Sequence, residues 1–173
     1  GTFVGSEAGG GTWSGGGTEN TAIGYQAFLG SDNNTTGTTT DANGTVAIGY
    51  QTLKALTTGQ YNTAIGFEAG LVLTELDKNT LIGYQAGKAL SGSAGGGAQT
   101  HIGYKAGASN TTGNSNTFVG SEAGASTTVG LQNTAMGRGA LFTADGGETN
   151  NVAIGMFAMY SVNNDASDDN ICL

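Results

Sequence analysis

The sequence predicts an all-β fold, a parallel β-solenoid or β-roll with coils of about 17 residues, and three observations carry that expectation. The first is a motif, Asn62-Thr63-Ala64-Ile65-Gly66-Phe67-Glu68-Ala69-Gly70, that recurs along the whole chain, for instance as Asn79-Thr80-Leu81-Ile82-Gly83-Tyr84-Gln85-Ala86-Gly87. The second is its period. The motif glycine falls at Gly5, Gly24, Gly49, Gly66, Gly83, Gly103, Gly120, Gly137 and Gly155, at spacings of 19, 25, 17, 17, 20, 17, 17 and 18 residues. The third is composition. The 173 residues include 33 glycines, no proline and only 10% charged residues, too few large side chains for a conventional core but enough for a narrow one.

Each repeat divides into a short apolar-polar alternation, such as Thr63-Ala64-Ile65, and a connector rich in Gly, Ala, Ser, Thr and Asn. Alternation with period two, bounded by glycine, reads as a strand. A helix fails on length and on glycine content. With the motif glycine as position zero, position −1 is always apolar: Ile23, Ile48, Ile65, Ile82, Ile102, Val119, Met136 and Ile154 occupy it. Position −3 is Thr or Val until Ile171, and position +3 is Ala except at Thr52. Residues two apart on a strand share a face. The expectation is therefore that −3 and −1 point inward, with the −1 residues as the core column and the small +3 residue letting the opposite wall approach. Glycine at zero suits a sharp bend or a close backbone approach.

Position −4 is Asn in seven copies, including Asn20, Asn62, Asn79, Asn116 and Asn133. Stacked at one turn, these either form a hydrogen-bonded ladder or simply tolerate turn geometry. The longer spacings are insertions, the largest between Gly24 and Gly49, and insertions in a solenoid leave from one edge and often form its binding face. The chain reads as one repeat domain, 1–173, of nine coils plus the start of a tenth at Asn170. It is expected to be a segment of something longer, because both ends fall inside the motif.

The formal charge of −8, with five Lys and Arg in all, disfavours nucleic acid, whose phosphates need clustered cations. It disfavours anionic membranes for the same reason, and no apolar run approaches the ~20 residues of a spanning helix. The single cysteine, Cys172, permits no disulfide within the chain.

Catalytic chemistry finds little support. His101, the only histidine, sits at the variable −2 column and reads as a substitution on a repeat face; Cys172 shares that column with no histidine near it. Glu7, Glu68 and Glu122 share column +2 with Gln26, Gln51 and Gln85, which suggests a solvated polar column rather than acid–base pairs. Asp32-Asn33-Asn34-Thr35-Thr36-Gly37 resembles the start of a calcium loop but has Asn43 where the twelfth-position acid belongs. Gly83–Lys88 falls one residue short of a phosphate loop, and the repeat accounts for its glycines. No enzyme activity, cofactor or metal is expected. The +1 column is more suggestive. Tyr25, Tyr50, Phe67, Tyr84 and Tyr104 would align as an aromatic stripe, facing a neighbouring chain or a receptor such as a glycan.

The Asn-Thr-Ala-Ile-Gly-Tyr-Gln-Ala motif resembles repeats of phage tail fibres and of large viral or bacterial surface proteins. It is also similar to the head repeats of trimeric autotransporter adhesins, whose core reads roughly Ser-Val-Ala-Ile-Gly; Thr45-Val46-Ala47-Ile48-Gly49 and Asn151-Val152-Ala153-Ile154-Gly155 come nearest. The resemblance implies a left-handed parallel β-roll, a homotrimer, and an extracellular role in attachment on a virion tail fibre or, alternatively, on a bacterial cell surface. The 17-residue period and the insertions depart from the adhesin pattern.

A thin coil argues for the trimer on separate grounds. One or two large apolar side chains per coil bury little area at ~25 cal/mol per Å² against the cost of ordering the backbone. Association would cover either the −2 column, where Phe3, Leu81 and Phe118 lie, or the +1 stripe. The expected partners are copies of the chain and a host-surface receptor. An ice-binding solenoid ranks behind: Thr21, Thr63, Thr80 and their equivalents recur in register, but the irregular insertions spoil the flat array that role needs and column −3 is assigned to the interior.

Overall fold

The computed structural model describes residues 1–10, 18–30, 42–92, 97–144, 147–162 and 168–173. The insertion at 32–37, with its resemblance to a calcium loop, lies outside the described residues. The strands are β1 (Thr2–Val4), β2 (Thr21–Ile23), β3 (Val46–Ile48), β4 (Thr63–Ile65), β5 (Thr80–Ile82), β6 (Thr100–Ile102), β7 (Thr117–Val119), β8 (Thr134–Met136), β9 (Thr143–Ala144), β10 (Val152–Ile154), β11 (Ser161–Val162) and β12 (Ile171–Cys172). All but β9 and β11 form one ten-stranded parallel sheet in chain order, and β9 pairs with β11 in a small second sheet. This is a parallel β-solenoid, as the repeat predicts. Each column of the repeat pairs with itself, as in Thr63↔Thr80, Ala64↔Leu81 and Ile65↔Ile82. The longest insertion does not disturb that register, since Thr21 still faces Val46.

The motif glycine makes the corner after each strand. Its φ runs from 126° at Gly5 to 137° at Gly66, a conformation that L side chains rarely adopt. A Cβ at Gly66 would also be built into the carbonyl oxygen of Gly83, and the same collision repeats up the column. The sharp bend and the close approach that the sequence suggests as alternatives are both present. Hydrogen bonds continue from coil to coil through the corner: Gly66 N–H donates to Ile48 at 2.8 Å, Glu68 to Tyr50 at 2.9 Å and Gly70 to Ala86 at 3.0 Å. These bonds hold the +2 residues, among them Gln26, Gln51, Glu68 and Gln85, at φ between 51° and 54°, in left-handed backbone that is uncommon outside glycine.

The two faces of the strands are the reverse of the expected ones. Position −2 points inward: Ala22, Ala47, Ala64, Leu81, His101, Phe118, Ala135 and Ala153 are fully buried. The −1 residues Ile23, Ile48, Ile65, Ile82, Ile102, Val119, Met136 and Ile154 point outward and are exposed or only half-buried. They are not the core column, and Leu81 and Phe118 are not on an outer interface. Phe3 is part-exposed only because β1 has no strand on its outer side. The physical reason is the width of the coil. A column of isoleucines on every strand would be too bulky for so narrow an interior, and alanine at most −2 positions is what the interior accommodates.

The interior obeys a compensation rule between −2 and +4. Where −2 is large, +4 is glycine: Leu81 goes with Gly87, His101 with Gly107 and Phe118 with Gly124. Where −2 is alanine, +4 is mostly large and buried: Ala22 with Phe28, Ala47 with Leu53, Ala135 with Leu141. A Cβ on Gly124 would lie 2.5 Å from the Phe118 ring, so the two columns share one space. In the fourth coil both are small, Ala64 and Gly70, and the gap is filled from either side: a Cβ on Gly70 would stand 2.8 Å from methyls of Leu53 and Leu81. The interior is completed by Leu56, Leu73, Leu76 and Leu90.

Column −4 is a hydrogen-bonded ladder. Asn62 Oδ1 accepts from the backbone N–H of Asn79 at 3.0 Å and from its Nδ2 at 2.8 Å, while Asn62 Nδ2 donates to the Leu76 carbonyl at 2.9 Å. The pattern recurs from Asn116 to Asn133 and from Asn151 to Asn170. Asn62, Asn116 and Asn133 each thus satisfy one backbone acceptor and one backbone donor in the turn of the next coil, where an unmet donor or acceptor is costly.

Phe118→Ala should cost about 3–5 kcal/mol in chemical denaturation, and adding Gly124→Leu should recover part of that loss, because +4 already carries leucine at Leu53 and Leu141. A double variant less stable than Phe118→Ala alone would contradict the shared-space rule. Asn79→Ala orphans the Gln99 N–H and should cost about 1–3 kcal/mol. Gln51→Ala on the outer +2 column should be nearly silent in the same melts.

Candidate interaction surface

The outer face of the ten-stranded sheet is built from columns −3 and −1. Threonine at −3 is β-branched and suits a strand, and isoleucine at −1 does so equally. Both lie on the pleat opposite the buried −2 residue. Ile65 is 36% exposed, Met136 42% and Ile154 41%. The column extends for about 43 Å at the ~4.8 Å spacing of neighbouring strands.

Beyond the glycine corner the +1 residues form a second column. The rings of Tyr25, Tyr50, Phe67, Tyr84 and Tyr104 stack with successive centroid distances of 5.5, 4.9, 5.3 and 5.3 Å, in planes 22° or less apart. Lys105 Nζ lies 5.4 Å from the centroid of the Tyr104 ring. Ring faces inside the ladder are taken up by neighbouring rings, so the column offers edges and hydroxyls outward rather than open platforms on which a sugar ring could stack. All five rings stay partly exposed.

Column +2 runs beside the ladder as a chain of polar contacts. Gln26 Nε2 donates to Glu7 at 2.6 Å, Gln51 to Gln26 at 2.7 Å and Gln85 to Glu68 at 2.9 Å. Lys88 Nζ donates to Glu68 at 2.7 Å, and that bond holds the Glu68 carboxyl below the usual carboxylate range against the opposing effect of its partial burial. Lys88 is therefore engaged by a carboxylate. Among the described residues no group of three or more His, Cys, Asp and Glu is placed to hold a metal ion. Cys172 on β12 and His101 on β6 are separated in the sheet by three strands.

A second aromatic patch lies near the C-terminal end and was not singled out from the sequence. Tyr160 stacks on Phe142 at 5.0 Å and meets Phe157 edge-on at 5.1 Å, and the Arg138 guanidinium lies 5.4 Å from the Phe157 ring centroid. Phe157 and Tyr160 line an open apolar depression of about 300 Å³. Spacing alone could have found part of it, since Phe157 and Arg138 stand at +2 and +1 of their own coils.

No helix in the described residues is long and apolar enough to cross a membrane. Set against models of known protein families, characterised proteins and solved structures, the chain matches none.

Proposed function

We propose that this chain is a structural segment of a homotrimeric, extracellular attachment fibre, of the kind borne by a virion tail, with a bacterial surface adhesin of the same build as the alternative owner. Its work is extension and presentation, with no reaction catalysed. The observation that supports this most is the uncovered outer face. Parallel sheets normally have both faces covered, and their strands then read as apolar on both sides. Here the inner face is covered by the chain's own coil, while the outer face presents Ile23, Ile65, Met136 and Ile154 to solvent. A continuous apolar stripe along a whole domain marks an interface. Three copies around one axis cover it with closed symmetry and leave no edge for lateral growth.

In this assembly the −1 column is the shared core of the trimer, a different role from the intrachain core first expected of it. The Tyr25–Tyr104 ladder lies at its margin, where its exposed edges remain open to a receptor. The acidic surface, with a formal charge of −8 per chain, keeps neighbouring fibres apart.

The outward direction of column −3 lends weight to a second reading. Thr63, Thr80, Thr100, Thr117 and Thr134 stand in register on a regular sheet face, flanked by Ile65, Ile82, Ile102, Val119 and Met136. An ordered Thr-Ile array on an exposed face suits ice binding, and such a protein would work as a monomer.

Light scattering separates the two. The fibre reading expects about 51 kDa, three times the 17.1 kDa chain, at micromolar concentration. Ile65→Asp together with Ile82→Asp should give a folded monomer, because a charge on this face blocks association without entering the coil. A wild-type monomer that produces thermal hysteresis would overturn the fibre reading in favour of ice binding.

A further inference from the structure

The interior of the sixth coil differs in kind from the others. The apolar core falls into two clusters: one runs from Ala22 to Leu90, and the other begins at Ala106. Between them, the large side chains inside the coil are all polar: Gln99, His101 and Asn110, each fully buried. They occupy columns −4, −2 and +7, where the coil below carries Asn79, Leu81 and Leu90. Gln99 is well bonded, accepting from Asn116 N–H at 3.0 Å and donating to the Gly113 carbonyl. His101 and Asn110 are not. Both ring nitrogens of His101 and both amide atoms of Asn110 lack a partner.

His101 is held tightly. Its ring stacks on Phe118 at 5.0 Å with planes 12° apart, and its strand neighbours are Leu81 on β5 and Phe118 on β7. A Cβ on Gly87 would lie 3.1 Å from His101 Nδ1, and one on Gly107 would collide with the ring itself. None of these four neighbours titrates or carries charge. Lys105, the nearest cation in sequence, lies over the outer Tyr104 ring, and Glu148, the buried acid, belongs to a turn whose carbonyl meets Asn133 two coils away.

We propose that the sixth coil is an acid-sensitive joint, at which protonation of His101 opens the stack while the apolar halves on either side stay folded. The closed coil gives neither ring nitrogen a hydrogen-bond partner and sets only apolar groups around the ring, so the charged ring is accommodated only by exposing it. Burial accordingly pushes the His101 pKa from 6.5 down to about 3. Because the closed form has the depressed value, the coil keeps its full stability above pH 6.5 and loses it progressively as pH falls toward 3. The joint sits within each chain, so the inference holds whether the protein is a trimer or a monomer.

Hydrogen exchange read by mass spectrometry on the whole chain tests this. After correction for intrinsic rates, amides of residues 97–116 should lose about 100-fold in protection between pH 7.5 and pH 4.5, with much smaller changes around Leu53 and Leu73. His101→Leu, matching Leu81 in the coil below, should abolish the pH dependence of that segment. Asn110→Leu, matching Leu73 and Leu90, should raise its protection at pH 7.5 and leave the pH dependence in place. Uniform loss of protection along the chain, constant protection of 97–116 from pH 7.5 to 4.5, or an unchanged acid profile in His101→Leu would each overturn the proposal.

Discussion

Everything in this molecule depends on how closely one coil approaches the next at the motif glycine. At that column the backbone bends with φ near 130° and the carbonyl of the following glycine occupies the place a Cβ would need. The approach lets the strand hydrogen bonds continue through the corner and the turns, so nearly every coil is tied to its neighbour along its length. Those bonds in turn hold the +2 and +4 residues in left-handed backbone, including Phe28, Leu53 and Leu141, which on their own would not favour it. The +4 geometry aims those side chains inward, and this is what creates the exchange of bulk between +4 and −2. Core packing, turn conformation and register thus rest on one glycine per repeat.

The same narrowness shapes the outside. An interior that admits one large side chain per coil at −2 or +4 has no room for the branched residues that make good strands. Isoleucine and threonine are placed on the outer pleat, where they stiffen the strand and leave an apolar face uncovered by the chain itself. That exposed apolar face is the surface on which the proposed association centres. The sixth coil is the exception on the inside, where polar groups replace leucines and divide the core in two.

The period, the strand positions, the parallel architecture and the glycine corner were legible in the sequence, because each depends only on the recurrence of residues at fixed spacing. The hydrogen-bonded asparagine column was legible as one of two alternatives. The direction of the faces was not. The assignment of −1 to the interior followed the habit that the most apolar column is the core, and a solenoid this thin breaks that habit. The correcting signal was present: large residues at −2, such as Leu81 and Phe118, are matched by glycine at +4, while Ala22 and Ala47 are matched by Phe28 and Leu53. Anticorrelated size in two columns means a shared space, and only the interior offers one. The stacked tyrosines and the +2 amide chain fell where the columns placed them, since coil-to-coil register is set by the backbone. The patch of Phe142, Phe157 and Tyr160 was hidden because Phe142 and Tyr160 lie outside the motif columns.

The division of faces, with −2 and +4 inside one chain and −1 between chains, is most directly tested by isotope-filtered methyl NOEs on an assembly of mixed labelled and unlabelled chains. The account predicts interchain NOEs from the methyls of Ile65, Ile82 and Ile102, and only intrachain NOEs from Leu53, Leu73 and Leu81. Interchain NOEs from the leucines, or none from the isoleucines, would contradict it.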